Sequence, residues 1–105
     1  MSACHASGFD LTVQNNATVP LRNVEVDYPG AAFGVPLIAA GKSYWYHIKP
    51  TGDGEIGLRF ELANGKNFHQ KGPAVNAEKR GEITLIIEQD ERQQWRMRTQ
   101  ALTYR

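Results

Sequence analysis

The sequence predicts an all-β protein of seven or eight short strands, and three observations support this. Apolar and polar residues alternate with period two through most of the 105 residues. Turn-forming residues interrupt the alternation about every eight to twelve residues, and no segment has the period of an amphipathic helix. The composition, 41% hydrophobic and 22% charged, is globular rather than disordered.

The first three predicted strands cover residues 9–14, 24–28 and 33–37. Each places its apolar residues on one face, as a half-buried strand does. Residues 15–17 form the turn after the first strand. Pro36 lies inside the third, and proline cannot donate a hydrogen bond to a neighbouring strand. The third segment is therefore predicted to be an edge strand or a bulged one.

The fourth strand carries the most distinctive residues of the chain. Tyr44 and Tyr46 share the inward face with Ile48, whereas Trp45 and His47 point the other way. An exposed tryptophan on a sheet can stack on a sugar ring or anchor a protein partner. The alternative is that Trp45 packs under a loop or against the edge of its own sheet. Trp45 and His47 are candidate binding residues.

The remaining strands follow residue 54. Residues 55–62 alternate most regularly, and Asn64-Gly65 after them suits a type I′ hairpin turn. Residues 72–81 have no strand pattern and could hold one helical turn within 74–80. The strand that returns after the Asn64-Gly65 turn carries Phe68, and residues 82–87 and 95–98 form the last two predicted strands. The predicted core consists of Leu11, Val13, Val24, Val26, Tyr46, Ile48, Ile56, Leu58, Phe60, Ile83, Leu85 and Ile87.

Strands of this number and length are typically arranged as two antiparallel sheets packed face to face. The prediction is therefore an immunoglobulin-like β-sandwich, although the cysteine–tryptophan–cysteine signature of antibody domains is absent. A small closed β-barrel is the alternative. Residues 9–105 form the single domain, and residues 1–8 form a flexible N-terminal segment or tether.

The charge distribution argues against a nucleic-acid partner. The formal net charge is +1, whereas phosphate-binding proteins usually carry a basic excess or a basic stripe. Arg96 and Arg98 make the C-terminal stretch locally basic. They are interpreted as a solvated strand face, with a phosphate-binding patch as the less favoured reading, and they join the candidate binding residues.

Catalytic, metal and cofactor motifs are not found in the sequence. The three histidines and the single cysteine lack the spacing of a zinc site. The glycines of residues 52–57 match a dinucleotide motif but run straight into a strand instead of a helix. The prediction is a protein without catalytic residues, metal or cofactor. An enzyme would need His47, His69 and a carboxylate such as Glu61 to meet in one pocket.

Residues Ser2-Ala3-Cys4 resemble the end of a bacterial lipoprotein signal, in which Leu-Ser-Ala precedes the lipidated cysteine. Met1 stands where the leucine would be. The resemblance implies that Cys4 is the lipidation site and that the protein is tethered to a membrane on the periplasmic side of the envelope. If translation naturally starts at Met1, the protein is cytoplasmic and Cys4 is an exposed thiol.

The body of the chain resembles small bacterial β-sandwich proteins of unassigned function. The shared features are an L-x-V-x-N first strand ending at Asn15, a V-x-V second strand, Gly41 before an aromatic strand, and part of a G-x-L-x-F pattern ending at Phe60. This resemblance implies the sandwich fold and brings with it no activity and no functional residues.

These observations predict a non-catalytic binding or structural module of the cell envelope. The alternatives are a carbohydrate-binding accessory domain that uses Trp45 or, less favoured, a small enzyme. Open sheet edges invite a strand from a partner protein or from a second copy. Residues 31–38 and 93–99 are the candidate edges. The second lacks proline, so it is the predicted contact of a homodimer or a peptide.

Overall fold

The computed structural model describes residues 7–104, which form two four-stranded sheets packed face to face. One sheet has the strand order β4-β1-β7-β8, and the other has the order β3-β2-β5-β6. The strands are β1 (Gly8–Asn15), β2 (Leu21–Tyr28), β3 (Ala31–Ile38), β4 (Ser43–Ile48), β5 (Gly54–Glu61), β6 (Asn67–Val75), β7 (Arg80–Gln89) and β8 (Trp95–Tyr104). The eight-stranded β-sandwich is confirmed, and neither sheet closes into a barrel within these residues.

One strand pair departs from the predicted antiparallel arrangement. β1 runs antiparallel to β4 but parallel to β7, with Phe9 opposite Gly81 and Val13 opposite Leu85. The other pairs are antiparallel. Alternation in the sequence specifies which face of a strand is buried, but it does not specify which strand lies beside it. The parallel pair was therefore not predictable from the pattern.

The core lies between the two sheets and matches the prediction with one exception. All predicted core residues other than Tyr46 are buried. Tyr46 is 40% exposed because β4 is an edge strand, so its inward-facing side chain lies at the open side of the sandwich. Its ring centroid is 4.4 Å from that of Phe33 on β3, the edge strand of the other sheet.

β3 is an edge strand, as Pro36 predicts. Pro36 lies opposite Asn23, between the pairs Val24–Val35 and Arg22–Leu37. The register of β2 with β5 shifts at the same place, and Asn23 adopts a left-handed backbone with φ of 50°. A bulge of this kind lets consecutive residues change face. It therefore explains why Leu21 and Val24, three residues apart, are both buried.

Two local predictions are wrong. The segment 74–80 contains no helical turn, because β6 continues to Val75 and β7 begins at Arg80. The Asn64-Gly65 turn is not type I′, since of its two residues only Gly65 has positive φ, at 84°. The amide of Leu62 donates to Lys66 O, and the amide of Gly65 donates to Leu62 O. This is a three-residue hairpin loop with glycine in the left-handed position.

No helix among residues 7–104 is long and apolar enough to cross a membrane.

Asn15 ends β1 and is fully buried, although the sequence suggested only a turn residue. Its side-chain amide donates to Val19 O at 2.9 Å and to Ile38 O at 3.0 Å, and its side-chain oxygen accepts the amide of Ala17 at 2.9 Å. One side chain thus joins β1, the loop after it and the end of β3. Its hydrogen bonds compensate for burying a polar group.

Candidate functional site

Trp45 lies in the middle of β4 and points away from the core. Its side chain is 60% exposed, which makes it the most exposed large hydrophobic residue among residues 7–104. Thr12 of β1 lies directly opposite it, and Ser43 and His47 flank it on the same face. Tryptophan is enriched among the residues that contribute most to binding at protein interfaces, so Trp45 is a candidate binding residue in the folded protein as well.

The backbone of β4 also has unpaired groups. The amide of Asn15 donates to Lys42 O at 2.9 Å, which sets the alternation of hydrogen bonds between β1 and β4. In an antiparallel pair, every second residue directs both its N–H and its C=O at the neighbouring strand. The intervening residues of β4, Ser43, Trp45 and His47, therefore direct theirs at the free edge.

Four strands lie at sheet edges, β4 and β8 in one sheet and β3 and β6 in the other. Both segments predicted as edges, 31–38 and 93–99, lie on or overlap edge strands. Charged residues and proline protect edges against strand addition. β3 contains Pro36, β6 contains Lys71 and Pro73, and β8 contains Arg96 and Arg98. β4 contains none of these residues, so it is the least protected edge.

Two lysines bracket this strand. Lys42 precedes β4 and Lys49 follows it, and both are exposed. Neither forms an ion pair within residues 7–104. This arrangement was not predicted, although the sequence contains its signal: six consecutive residues without acid, lysine, arginine or proline, with a lysine at each end.

Aromatic rings close the side of the sandwich behind β4. The ring of Phe33 on β3 lies 6.1 Å from that of Tyr44 and 4.4 Å from that of Tyr46. Tyr28 packs against the core beside them. Burial, and to a lesser extent the neighbouring Tyr46, raise the pKa of Tyr28 above its ordinary value of 10.0. These rings lie against the inner side of β4, and Trp45 on its outer side is exposed.

His47 holds the start of β1 against β4. Its Nδ1 lies 2.7 Å from Asp10 Oδ1, and its Nε2 lies 2.7 Å from Ser7 O. Both partners are hydrogen-bond acceptors, so both contacts are hydrogen bonds when each ring nitrogen carries a hydrogen. Gly8 allows this close approach, because a Cβ there would collide with Ile48 O. His47 therefore has a structural role beside Trp45.

Arg96 and Arg98 both form ion pairs with Glu88. The Nε atoms of the two arginines lie 2.9 Å and 2.7 Å from the same oxygen of Glu88, on the neighbouring strand. Hydrogen bonding from Arg98, and less strongly from Arg96, holds the pKa of Glu88 below its ordinary value of 4.5. The pairing fits the interpretation of a solvated strand face rather than a phosphate-binding patch.

His47, His69 and Glu61 do not meet in one pocket. His47 lies on β4, and His69 lies on β6, at the edge of the other sheet and beside β8. Glu61 ends β5, where it accepts a hydrogen bond from Asn23. Among residues 7–104, no three His, Cys, Asp or Glu side chains are grouped as metal ligands would be. Cys4 and the tether predicted for residues 1–8 lie outside the described residues, apart from Ser7 and Gly8.

Comparison with known proteins supports the fold. No protein-family model matches the chain, and no curated protein matches it. A solved structure described as the NMR structure of the protein from Eubacterium rectale superposes with a TM-score of 0.68. The match covers 88% of this chain and 87% of that one, at 14% sequence identity. The chain is therefore a small all-β protein that shares its fold with a bacterial structure.

Proposed function

We propose that this protein is a non-catalytic binding module that takes an extended segment of a partner protein along β4. The observation that carries the proposal is the combination of an unprotected edge strand with an exposed tryptophan at its centre. Strand addition draws its affinity from main-chain hydrogen bonds and its specificity from alternate side chains. β4 offers both on the same six residues.

The chemistry of β4 defines the segment it would accept. Ser43, Trp45 and His47 offer N–H and C=O groups to a neighbouring strand. Trp45 would cover an apolar side chain of that strand, and the lysines at the two ends of β4 favour acidic residues at the ends of the partner segment. The partner is therefore an extended, apolar-and-polar alternating peptide with acidic ends.

A synthetic peptide tests this proposal directly. The probe is a short peptide in which valine and threonine alternate and aspartates stand at both ends. We expect it to shift the backbone amide resonances of β4 in the ¹⁵N-labelled protein. Trp45→Ala should weaken the affinity about thirtyfold or more, because tryptophan anchors contribute roughly 2 kcal/mol or more at interfaces. Ser43→Pro should also weaken it, since it removes an outward donor and leaves the hydrogen bonds to β1 in place.

Two controls make the test specific. Tyr104→Ala removes an exposed aromatic residue from the other edge of the same sheet and should leave the peptide affinity unchanged. A peptide with lysines in place of the aspartates should bind more weakly. Shifts confined to residues 93–99 would transfer the contact to β8. Shifts of β4 that grow with protein concentration alone would show that the occupant is a second copy, and either result would overturn the proposal.

The proposal includes a location in the cell envelope, with Cys4 as the lipidated residue. Its support is the resemblance of Ser2-Ala3-Cys4 to a lipoprotein signal end. The test is expression of the gene with its natural upstream sequence in cells that are fed labelled palmitate. Label in the membrane fraction that is lost in Cys4→Ser supports the tether. A natural start codon at Met1, or unlabelled protein, contradicts it.

A further inference from the structure

An open groove of about 900 Å³ lies at one end of the sandwich, away from the middle of β4. Three connections form it: the loop between β1 and β2, the hairpin turn between β5 and β6, and the turn between β7 and β8. Its size is within the range of about 300–1,000 Å³ that is typical of small-molecule sites. The concentration of side chains at the meeting point of three loops makes it a candidate site.

The groove is lined by apolar residues together with several neutral amide groups. Four of the lining residues carry amide side chains: Asn64, Gln89, Gln93 and Gln94. Each side-chain amide both donates and accepts hydrogen bonds. The charged residues of the lining are Arg22 and Glu61, which lie opposite each other on β2 and β5 and carry opposite signs. The groove therefore has no net charge with which to select an anion or a cation.

Trp95 gives the groove an aromatic wall. It is half-buried, and its ring packs edge-on against Phe60 with the centroids 5.0 Å apart. Phe60 in turn stacks on Phe68, also at 5.0 Å. An indole held by such contacts is fixed before any ligand arrives, and its apolar face can cover the C–H face of a sugar ring.

The turn between β7 and β8 is braced in a strained conformation. Gln93 has φ of 62°, a left-handed conformation that favours glycine. The carboxylate of Asp90 accepts the amides of Arg92 at 2.8 Å and Gln94 at 2.9 Å, and Gln89 Nε2 donates to Gln93 O. A non-glycine residue in this conformation is strained, and such strain clusters at ligand-binding sites.

From these observations we propose that the groove binds a neutral oligosaccharide. Hydroxyl groups of a sugar both donate and accept, as do the amides that line the groove, and the sugar ring offers an apolar face to Trp95. The absence of net charge in the lining favours an uncharged sugar over an acidic one. This site is separate from the β4 edge, so either proposal can fail while the other stands.

The experiment uses ¹⁵N-labelled protein and neutral hexasaccharides of glucose, xylose and N-acetylglucosamine at millimolar concentration. At least one should shift the amide resonances of the three groove loops. Gln93→Gly removes a lining side chain at a position where the backbone suits glycine. It should weaken binding about three- to tenfold, the effect of losing one or two hydrogen bonds. Gln100→Ala, which removes an exposed glutamine side chain from β8 outside the groove, should leave the affinity unchanged.

Each remaining outcome would overturn the proposal. Binding that is lost in Trp45→Ala, with shifts on the outer face of β4, would place the sugar on the sheet instead of in the groove. Undiminished binding in Gln93→Gly and in Gln89→Ala would show that the amides of the groove are not involved. The absence of any shift with all three sugars would remove the saccharide assignment.

Discussion

Gly65 and Gln93 occupy equivalent positions in two hairpin turns at the same end of the sandwich. In one turn the amide of Leu62 donates to Lys66 O and the amide of Gly65 to Leu62 O; in the other, the amide of Asp90 donates to Gln94 O and the amide of Gln93 to Asp90 O. Both residues are left-handed, with φ of 84° and 62°. The same backbone thus carries glycine in one turn and glutamine in the other.

This equivalence predicts that Gln93→Gly stabilises the protein. Glycine adopts positive φ without the steric cost that a side chain incurs, so the free energy of unfolding should rise by about 1 kcal/mol. Urea denaturation measures it. The reciprocal change, Gly65→Gln, should destabilise by a similar amount. A less stable Gln93→Gly variant would mean that the glutamine side chain contributes more than its backbone conformation costs.

Asn15→Ala should be strongly destabilising. It would leave the carbonyls of Val19 and Ile38 and the amide of Ala17 without their side-chain partner in a buried region. Each unsatisfied buried group costs about 1–3 kcal/mol, so the total should reach roughly 3 kcal/mol. Asn16→Ala, at the exposed neighbouring position, is the control and should have little effect. Equal denaturation midpoints for the two variants would contradict the role of Asn15.

Glu88→Gln should reduce stability at neutral pH and have no effect in acid. The pKa of Glu88 is lowered in the folded protein, so its contribution is present above its ordinary value of 4.5 and is lost as the pH falls through the folded value. Urea midpoints at neutral pH and near pH 3 measure this. Glu91→Gln, in the neighbouring turn, is the control. A difference that persists unchanged in acid would exclude the ion pair as its cause.

Tyr28 should titrate later than an ordinary tyrosine. Burial raises its pKa, and the nearby Tyr46 adds to the effect. Tyr46→Phe removes only the smaller cause, so it should lower the pKa of Tyr28 in part. The pKa of Tyr28 can be measured from tyrosinate absorbance in an alkaline titration. Tyr28→Phe identifies the part of the absorbance change that occurs at the highest pH. Because the folded pKa is raised, the contribution of Tyr28 to stability is lost as the pH rises through it.

The sequence predicted the buried faces of the strands well because most strand residues alternate between the core and the outer surface, with β5 and β7 each burying three consecutive residues. Leu11, Ile56 and Leu85 all follow from period two. The exposure of Tyr46 was not predictable, because the pattern gives the face on which a residue lies but not how close its strand is to the edge of the sheet. The location of β4 at an edge depends on the parallel pairing of β1 with β7, which joins strands distant in sequence.

The candidate sites were predictable only in part. Trp45 stands out in the sequence, and its outward direction follows from the alternation of β4. The groove does not stand out in the sequence, because the residues that line it come from three connections and the strand ends beside them and meet only in the folded protein. The left-handed backbone of Gln93 was also not predictable, because the turn contains no glycine to mark a position with positive φ.

The parallel pairing of β1 with β7 also determines when the protein can fold during synthesis. β1 leaves the ribosome first, but its partner positions on β7, such as Gly81 opposite Phe9, are made only after most of the chain. Until then one side of a central, apolar strand has no neighbour, and such unpaired edges are prone to aggregation. The first strand therefore waits for nearly the last, and fragments that end before β7 cannot complete the sheet.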